Sequence, residues 1–356
     1  MQNVVEYFNK RGSTVYLATL DASKAFDRLT HVALFKKLLK RSVPMCCIKC
    51  LLSWYNKLYS CVRWSGCFSS PFNVCAGVRQ GGVLSPVLFN LYVDELVDTL
   101  ESCGLGCHVV NKSFACIFDA DDILIISPTV AGLQTMLNLC FAFATENGMT
   151  FNNDKSFCMQ VGRPINVLIQ EMLLGNDLIH WVDNFKYLGI QFNCGATLHV
   201  DCVPVKKKFY AAFNSILCGC KAAPENVKVF LISAYCLPLL TYCLGALKLN
   251  AAAIDSLAVC WNDAFRKIFG LNRWESVRTI LLCCDVLPVK YLYDLHRWNF
   301  LMSSGRLCAP VSHLVSVLVH ESNVIQKFTT FYACGGGSVN ARRKAVIQHF
   351  KNSLTV

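Results

Sequence analysis

The segment ACIFDADDILIIS, residues 115–127, sets three acids between two apolar runs. Short runs rich in β-branched and aromatic residues read as strands, and two of them separated by a few polar residues read as a hairpin. The spacing predicts strands over residues 114–118 and 123–127, with DADD as the turn. Crowding Asp119, Asp121 and Asp122 there is costly, because like charges repel and burial disfavours an ionised carboxylate. Two readings stay open at this point: a solvent-exposed turn, where acids are common, or a turn that holds a cation.

A chain of 356 residues, 54% of them hydrophobic, has enough apolar material for a sizeable core and is poorly suited to intrinsic disorder. Charge is unevenly spread: residues 1–200 hold 16 Lys and Arg against 15 Asp and Glu, whereas residues 201–356 hold 18 against 8. An acid-bearing front half and a basic rear half suit a polyanionic ligand, although a solvated basic surface reads the same way. The 22 cysteines are scattered, and the opening MQNVVEYFNKRGSTVY lacks the apolar core of a secretory leader. Free thiols in a reducing, intracellular setting are therefore expected. Cys47 and Cys50 form a CxxC that Cys103, Cys107 and His108 could complete as a zinc site, yet structural zinc usually brings two regularly spaced pairs. Residues 230–247 carry no charge between Lys228 and Lys248, and Pro238 interrupts them. That is the lower limit for a membrane span and equally fits a buried helix of a second domain.

Along the chain, TVYLATLDA (14–22) reads as a strand that delivers Asp21 near its end. HVALFKKLLKRS reads as a basic amphipathic helix, and a second helix follows Pro44. Residues 61–75 suggest paired short strands around Ser65-Gly66, and GVRQGG a loop. Ser85 as N-cap and Pro86 in the first turn open a helix that stops near Gly104. A helix from about Thr129 to before Gly148 precedes the strand SFCMQV. Beyond residue 205 the pattern is helical, and CGGGSVNARRK (334–344) reads as a flexible joint before a basic tail. This order predicts an α+β fold, an open antiparallel sheet with helices on one face. Asp21 would then lie beside Asp121 and Asp122. Three converging carboxylates favour hard divalent cations, Mg²⁺ above all, shared with substrate phosphates.

The blocks LDASKAFDRL, GVRQGGVLSPVLFNLYVDEL, CIFDADDILIIS and GMTFNNDKSFCM, followed by FKYLGIQF, resemble in order and spacing the reverse transcriptases of LINE-type (non-LTR) retrotransposons. The resemblance covers residues 14–192 and extends less specifically through 205–300. It implies a polymerase palm with partial fingers over residues 1–200, a helical thumb-like region over 201–310 and a basic tail over 311–356. It also implies RNA-directed DNA synthesis with two Mg²⁺ ions, for which Mn²⁺ substitutes, on an RNA template with a DNA primer and deoxynucleoside triphosphates. A nuclear site of action follows from the same likeness, and neither a membrane nor a protein partner does. By position, Asp21, Asp121 and Asp122 match the family's metal-binding acids. Phe26 matches its gate against the ribose 2′-hydroxyl, or else is a core residue. Arg79, Gln80 and Gly81 match the loop that meets nucleotide and template, although Arg79 could simply pair with an acid. Lys155 matches a lysine assigned to pyrophosphate protonation, or is a surface lysine.

This sequence departs from the family pattern at three places. Asp119 stands where a Tyr or Phe is usual, and Gly82 where a Cys is usual. About 20 residues precede Asp21, where the family carries a longer fingers segment and, before that, an endonuclease. The expectation is an N-terminally truncated, weak or inactive polymerase, the alternative being a non-catalytic remnant that binds nucleic acid at most.

Overall fold

A computed structural model describes residues 1–109, 112–163, 170–303, 324–333 and 337–353. They form two compact units, one centred on residues 3–188 and the other on residues 199–356. The first unit opens with α1 (Gln2–Lys10), β1 (Val15–Ala22), the single turn α2 (Ala25–Arg28), α3 (His31–Lys40) and α4 (Met45–Tyr55). Four two-residue strands follow, β2 (Tyr59–Ser60), β3 (Arg63–Trp64), β4 (Cys67–Phe68) and β5 (Phe72–Asn73), then α5 (Ser85–Ser102). Next come β6 (Cys107–Val109), β7 (Lys112–Phe114), β8 (Cys116–Asp119), β9 (Asp122–Ser127) and α6 (Val130–Glu146). β10 (Phe151–Val161), β11 (Met172–Leu174), β12 (Asp177–Trp181) and β13 (Asn184–Tyr187) complete it.

Six strands form one sheet in the order β11-β12-β10-β1-β9-β8. β1 lies inside it, antiparallel to both β10 and β9, and the β10–β12 pairing is parallel. The helices α5 and α6 cover one face. Leu96 and Leu100 of α5 and Leu133, Met136, Leu137 and Cys140 of α6 bury Tyr16, Ala18, Leu20, Ile123 and Ile125. Val15, Leu17, Leu124 and Ile126, of the opposite parity, are fully buried too. A strand covered on both faces reads as continuously apolar, which explains VYLATL and ILII. Burying one such Leu or Ile side chain contributes about 1.5–3 kcal/mol.

Two sequence expectations differ locally. The strand expected over 114–118 is divided at Ala115, since Lys112–Phe114 pairs with β6 and Cys116–Asp119 with β9, and Gly106 packs so close that a Cβ there would sit 2.6 Å from the Ala115 Cα. Ser85 is not a cap: it lies inside α5, and its hydroxyl donates to the Arg79 carbonyl (2.5 Å), tying the helix to the preceding loop. Thr129 does cap α6, accepting from the Gly132 amide at 3.1 Å.

The second unit is helical after the short strands β14 (Ile190–Asn193) and β15 (His199–Asp201). It comprises α7 (Val203–Gly219), α8 (Glu225–Leu231), a π-turn (Ile232–Cys236), α9 (Leu237–Thr241), α10 (Ala251–Phe269), α11 (Arg278–Cys283), α12 (Val289–Ser303), α13 (Val324–Phe331) and α14 (Val339–Asn352). Its core gathers Phe209, Phe213, Trp261, Phe265 and Trp298, all fully buried. The uncharged stretch 230–247 is amphipathic rather than apolar all round. Ile232, Cys236, Leu240 and Leu244, four residues apart, are buried while Phe230, Tyr235 and Tyr242 are exposed. No described helix is long and apolar enough to cross a membrane. The sequence suggested a basic tail over 311–356, part of which lies outside the described residues. Its last helix, α14, instead buries Val346 and Phe350 in the core.

In the first unit α3 and α5 are joined by charge. Lys37, only 8% exposed, donates to Glu95 at 2.8 Å, and Lys40 reaches the other Glu95 oxygen at 2.7 Å. The Lys37 ammonium also lies 5.0 Å from the Tyr92 ring centre and 4.7 Å from that of Phe143. Hydrogen bonds from Lys37 and then Lys40 hold the Glu95 carboxyl down at about 2. A carboxyl depressed in the folded state stabilises above its unfolded pKa, about 4.3, and that contribution fades as pH falls toward the folded value. Because Glu95 is partly solvent-exposed, its share is on the order of 1 kcal/mol or less. The thermal midpoint of Glu95→Gln should therefore fall below that of the parent at pH 6, and the gap should narrow below pH 4 and close near pH 2. A gap constant across a pH series of thermal melts would remove the ion pair from the account.

Candidate active site

The end of β1 and the turn between β8 and β9 meet edge to edge. Asp21 on β1 pairs directly with Asp122 on β9, and the Ala22 amide donates to the Asp121 carbonyl at 3.3 Å. Asp119 pairs with Asp122 across the hairpin, leaving Ala120 and Asp121 as a two-residue turn. Directly opposed residues of an antiparallel pair bring their Cβ atoms within about 5.5 Å. Ala120 takes φ +54°, a left-handed conformation that costs a residue with a Cβ about 1–2 kcal/mol. The turn is thus strained where the acids converge, as functional turns often are.

The electrostatics register the crowding. Partial burial raises the Asp122 pKa, then Asp121, Asp21 and Asp119 raise it further, and Lys186 opposes them. Tyr187, next to Lys186 on β13, is buried and directs its hydroxyl at the Ile117 carbonyl (3.4 Å). Burial, followed by the charges of Asp122 and Asp119, pushes its phenol up. Lys155 places its ammonium 3.9 Å from an Asp21 carboxylate oxygen, with its side chain 68% exposed. At that exposure the pair contributes little to stability.

Lys155 arrives there through a bulge in β10. Thr19 pairs with Phe157 but Asp21 pairs with Asn152, so β10 carries extra residues opposite Leu20. The buried Ser156 hydroxyl fills the gap in the ladder, accepting from the Asp21 amide (3.3 Å) and donating to the Asn152 carbonyl (2.7 Å). Bulges re-aim side chains next to active sites, and this one turns Lys155 toward Asp21.

A second group sits on the turn after β1. The Phe26 ring is half-buried and stacks on Phe89, centroids 4.9 Å apart. Its carbonyl accepts from the Val78 amide at 2.7 Å, and the Gly77 amide donates to the Leu29 carbonyl at 2.7 Å. Gly77 has φ +86°, and a Cβ there would meet the Phe26 carbonyl at 2.8 Å, so glycine is required for the approach. Gln80 then donates to Asp27 (3.3 Å). Arg79 is exposed, and Gly81 (φ +77°) faces open space. Arg79 and Gln80 line a cavity of about 520 Å³ with Asp27, Tyr59, Ser60 and Gly77. At Gly82 a Cβ would meet the Ser85 hydroxyl at 2.8 Å and the Arg79 carbonyl at 3.0 Å, so this turn is built around a glycine.

Of the residues singled out from sequence, Asp21, Asp121 and Asp122 are thus neighbours, Lys155 joins them, and Phe26, Arg79, Gln80 and Gly81 belong to the adjoining turn and loop. Among the described residues no group of three or more His, Cys, Asp or Glu side chains is arranged to hold a metal ion, which applies to the three aspartates as to the Cys47, Cys50, Cys103, Cys107 and His108 set. By donor type alone, carboxylate oxygens such as those of Asp21, Asp121 and Asp122 suit Mg²⁺. That ion is commonly held by one or two carboxylates, with water and substrate phosphate completing its shell. Lys186, Tyr187 and Ser156, which act on or contact these acids, were not singled out from the sequence. FKYLGIQF carried a signal for the first two, and nothing marks Ser156 in the sequence.

Residues 1–192 match the family described as "Reverse transcriptase (RNA-dependent DNA polymerase)". The Pol polyprotein of the type-2 retrotransposable element R2DM of Drosophila melanogaster is 34% identical over 211 residues, which cover 57% of this chain and 20% of that protein. The polymerase of the mobile element jockey of Drosophila funebris is 24% identical over 278 residues, 75% of this chain and 29% of that one. This chain therefore spans well under half the length of these relatives. Apo telomerase of Candida tropicalis aligns over 98% of this chain and 55% of its own at 13% identity, with a TM-score of 0.47. With more than half of its length matched to that family and its relatives among R2 and jockey polymerases, the chain belongs to the reverse transcriptases, in the group of non-LTR retrotransposon enzymes.

Proposed function

We propose that this chain carries the nucleotidyl-transfer centre of an RNA-directed DNA polymerase, extending a DNA primer on an RNA template with deoxynucleoside triphosphates in the nucleus. The observation that carries the proposal is the direct pairing of Asp21 with Asp122 beside Asp121. Reverse transcriptases generally use divalent metal ions. Asp21, Asp121 and Asp122 would hold two of them, Mg²⁺ or Mn²⁺, which when bound acidify the primer 3′-hydroxyl and neutralise charge on the leaving pyrophosphate.

The chain's own side chains then divide the remaining work. Lys155, beside Asp21, would give a proton to the departing pyrophosphate. Phe26, stacked on Phe89, would set its ring against C2′ and exclude a ribose 2′-oxygen. Arg79 and Gln80 line the cavity that would receive the triphosphate and template base. The basic second unit would hold the template–primer duplex through phosphates, without reading sequence and with steep salt dependence.

A second reading, a remnant that binds nucleic acid without catalysis, is favoured by Asp119 alone. It adds an anion beside Asp121 and Asp122 where the family has a ring, and repulsion of primer phosphates there is on the order of 1 kcal/mol or more.

Asp21→Asn and Asp121→Asn should each weaken Mn²⁺ or Mg²⁺ binding by about tenfold or more in calorimetry, and abolish primer extension on an RNA template. Unchanged ion binding in both variants would sink the metal site. Phe26→Ala should raise ribonucleotide use relative to deoxyribonucleotide use in the same extension assay, and equal discrimination would make Phe26 a core residue only. Asp119→Tyr should raise the extension rate by about fivefold or more, matching the repulsion removed. If parent and variant extend equally well, Asp119 is harmless. If neither extends, the non-catalytic reading stands.

A further inference from the structure

Between Asp27 and Asp94 the sequence contains no acid at all, while it carries nine Lys and Arg. Part of this stretch folds as a narrow ribbon. β2 pairs with β5 and β3 with β4, around a tip at Ser65 (φ +48°) and Gly66 (φ +86°). Both left-handed residues suit a two-residue hairpin turn. Every residue from Tyr59 to Asn73 is exposed. Large rings stand in water: Trp64 at 79% exposure, Phe68 at 67%, Tyr59 at 63% and Phe72 at 50%. Arg63 lies over Phe68, its guanidinium 5.7 Å from the ring centre.

Four exposed rings on so short a segment exceed the scattered apolar residues of an ordinary surface. Their setting selects the partner. Four rings with Arg63 among them and Lys57 just before, in a stretch free of acids, suit a polyanion whose own units have aromatic faces. Single-stranded nucleic acid answers that description: its phosphates meet arginine and lysine while its bases stack on rings, each stacked base contributing about five- to 150-fold in affinity. Duplex bases are already stacked on one another and present only edges and phosphates. The ribbon is also continuous with the cavity described above, since Tyr59 and Ser60 at its base line that cavity with Arg79 and Gln80.

We infer that the ribbon of residues 59–73 is a stacking platform for the unpaired template RNA adjoining the nucleotide cavity. Trp64 and Phe68 take bases, and Arg63 with Lys57 takes phosphates. This rests on the polymerase reading for the identity of the strand, but its test needs no catalysis.

The test measures binding of the full chain, in EDTA, to an oligouridylate of about 12 nucleotides, to an RNA duplex of matched charge and to inorganic polyphosphate. The double substitution Trp64→Ala with Phe68→Ala should weaken oligouridylate binding by about tenfold or more, with duplex and polyphosphate binding changed by less than about twofold. Trp64→Phe, which keeps a ring, should retain most of the affinity, and thermal midpoints should be unaltered because both residues are exposed. Equal losses for all three ligands would reduce the ribbon to a charge effect or a folding defect, and no loss would remove it from the strand's path. A parent dimer that the substitution dissolves, with RNA binding intact, would assign the rings to a second copy of the chain. Each of these three results overturns the inference. Failure of the catalytic reading shows separately, as ion binding indifferent to Asp121→Asn.

Discussion

The register between β1 and β9 is the constraint on which the rest depends. Side chains alternate along a strand, so a slip of one residue would turn Leu17 and Leu124 from one buried face to the other and part Asp21 from Asp122. Close packing of particular side chains against α5 and α6 holds that register. The repulsion among Asp21, Asp119, Asp121 and Asp122 is therefore imposed by a core that would lose several times more by shifting. Lys155 and Lys186 soften the repulsion from two sides, each from a different strand.

The loop bearing Arg79 and Gln80 depends on β1 as well. Gly77 and Val78 dock on backbone groups of Phe26 and Leu29 just after the strand ends, and Ser85 anchors the far side of the loop to α5. The loop's position is thus set by main-chain hydrogen bonds and two glycine approaches, together with the Ser85 hydroxyl and the burial of Val78. Phe26 takes part in both systems, with its carbonyl on Val78 and its ring on Phe89.

Much of this was legible because its causes are local. Alternating and continuous apolar runs marked β1, β9 and β10, Thr129 marked the start of α6, and the DADD acids marked the hairpin turn. What escaped reading depends on distant partners. The β10 bulge arises from the way Ser156 replaces a ladder bond to Asp21, 135 residues away. Lys186 matters only because β13 brings it near Asp122. Ser85 resembles a cap in sequence, but Arg79 captures its hydroxyl first. The charge of ARRK masked a helix whose Val346 and Phe350 complete a core, with Arg342 itself buried on the same face.

The two-residue turn at Ala120 and Asp121 has a consequence for how such a chain drifts over generations. With no slack between β8 and β9, a single inserted codon there would displace an acid and invert a buried strand together, so length changes at this hairpin are barred. At the tip near Ser65 and Gly66, where no flanking residue is buried, insertions would only lengthen a solvent-exposed arm. Under selection on folding alone, copies of this gene should therefore vary in length at the ribbon and hold it constant at the hairpin.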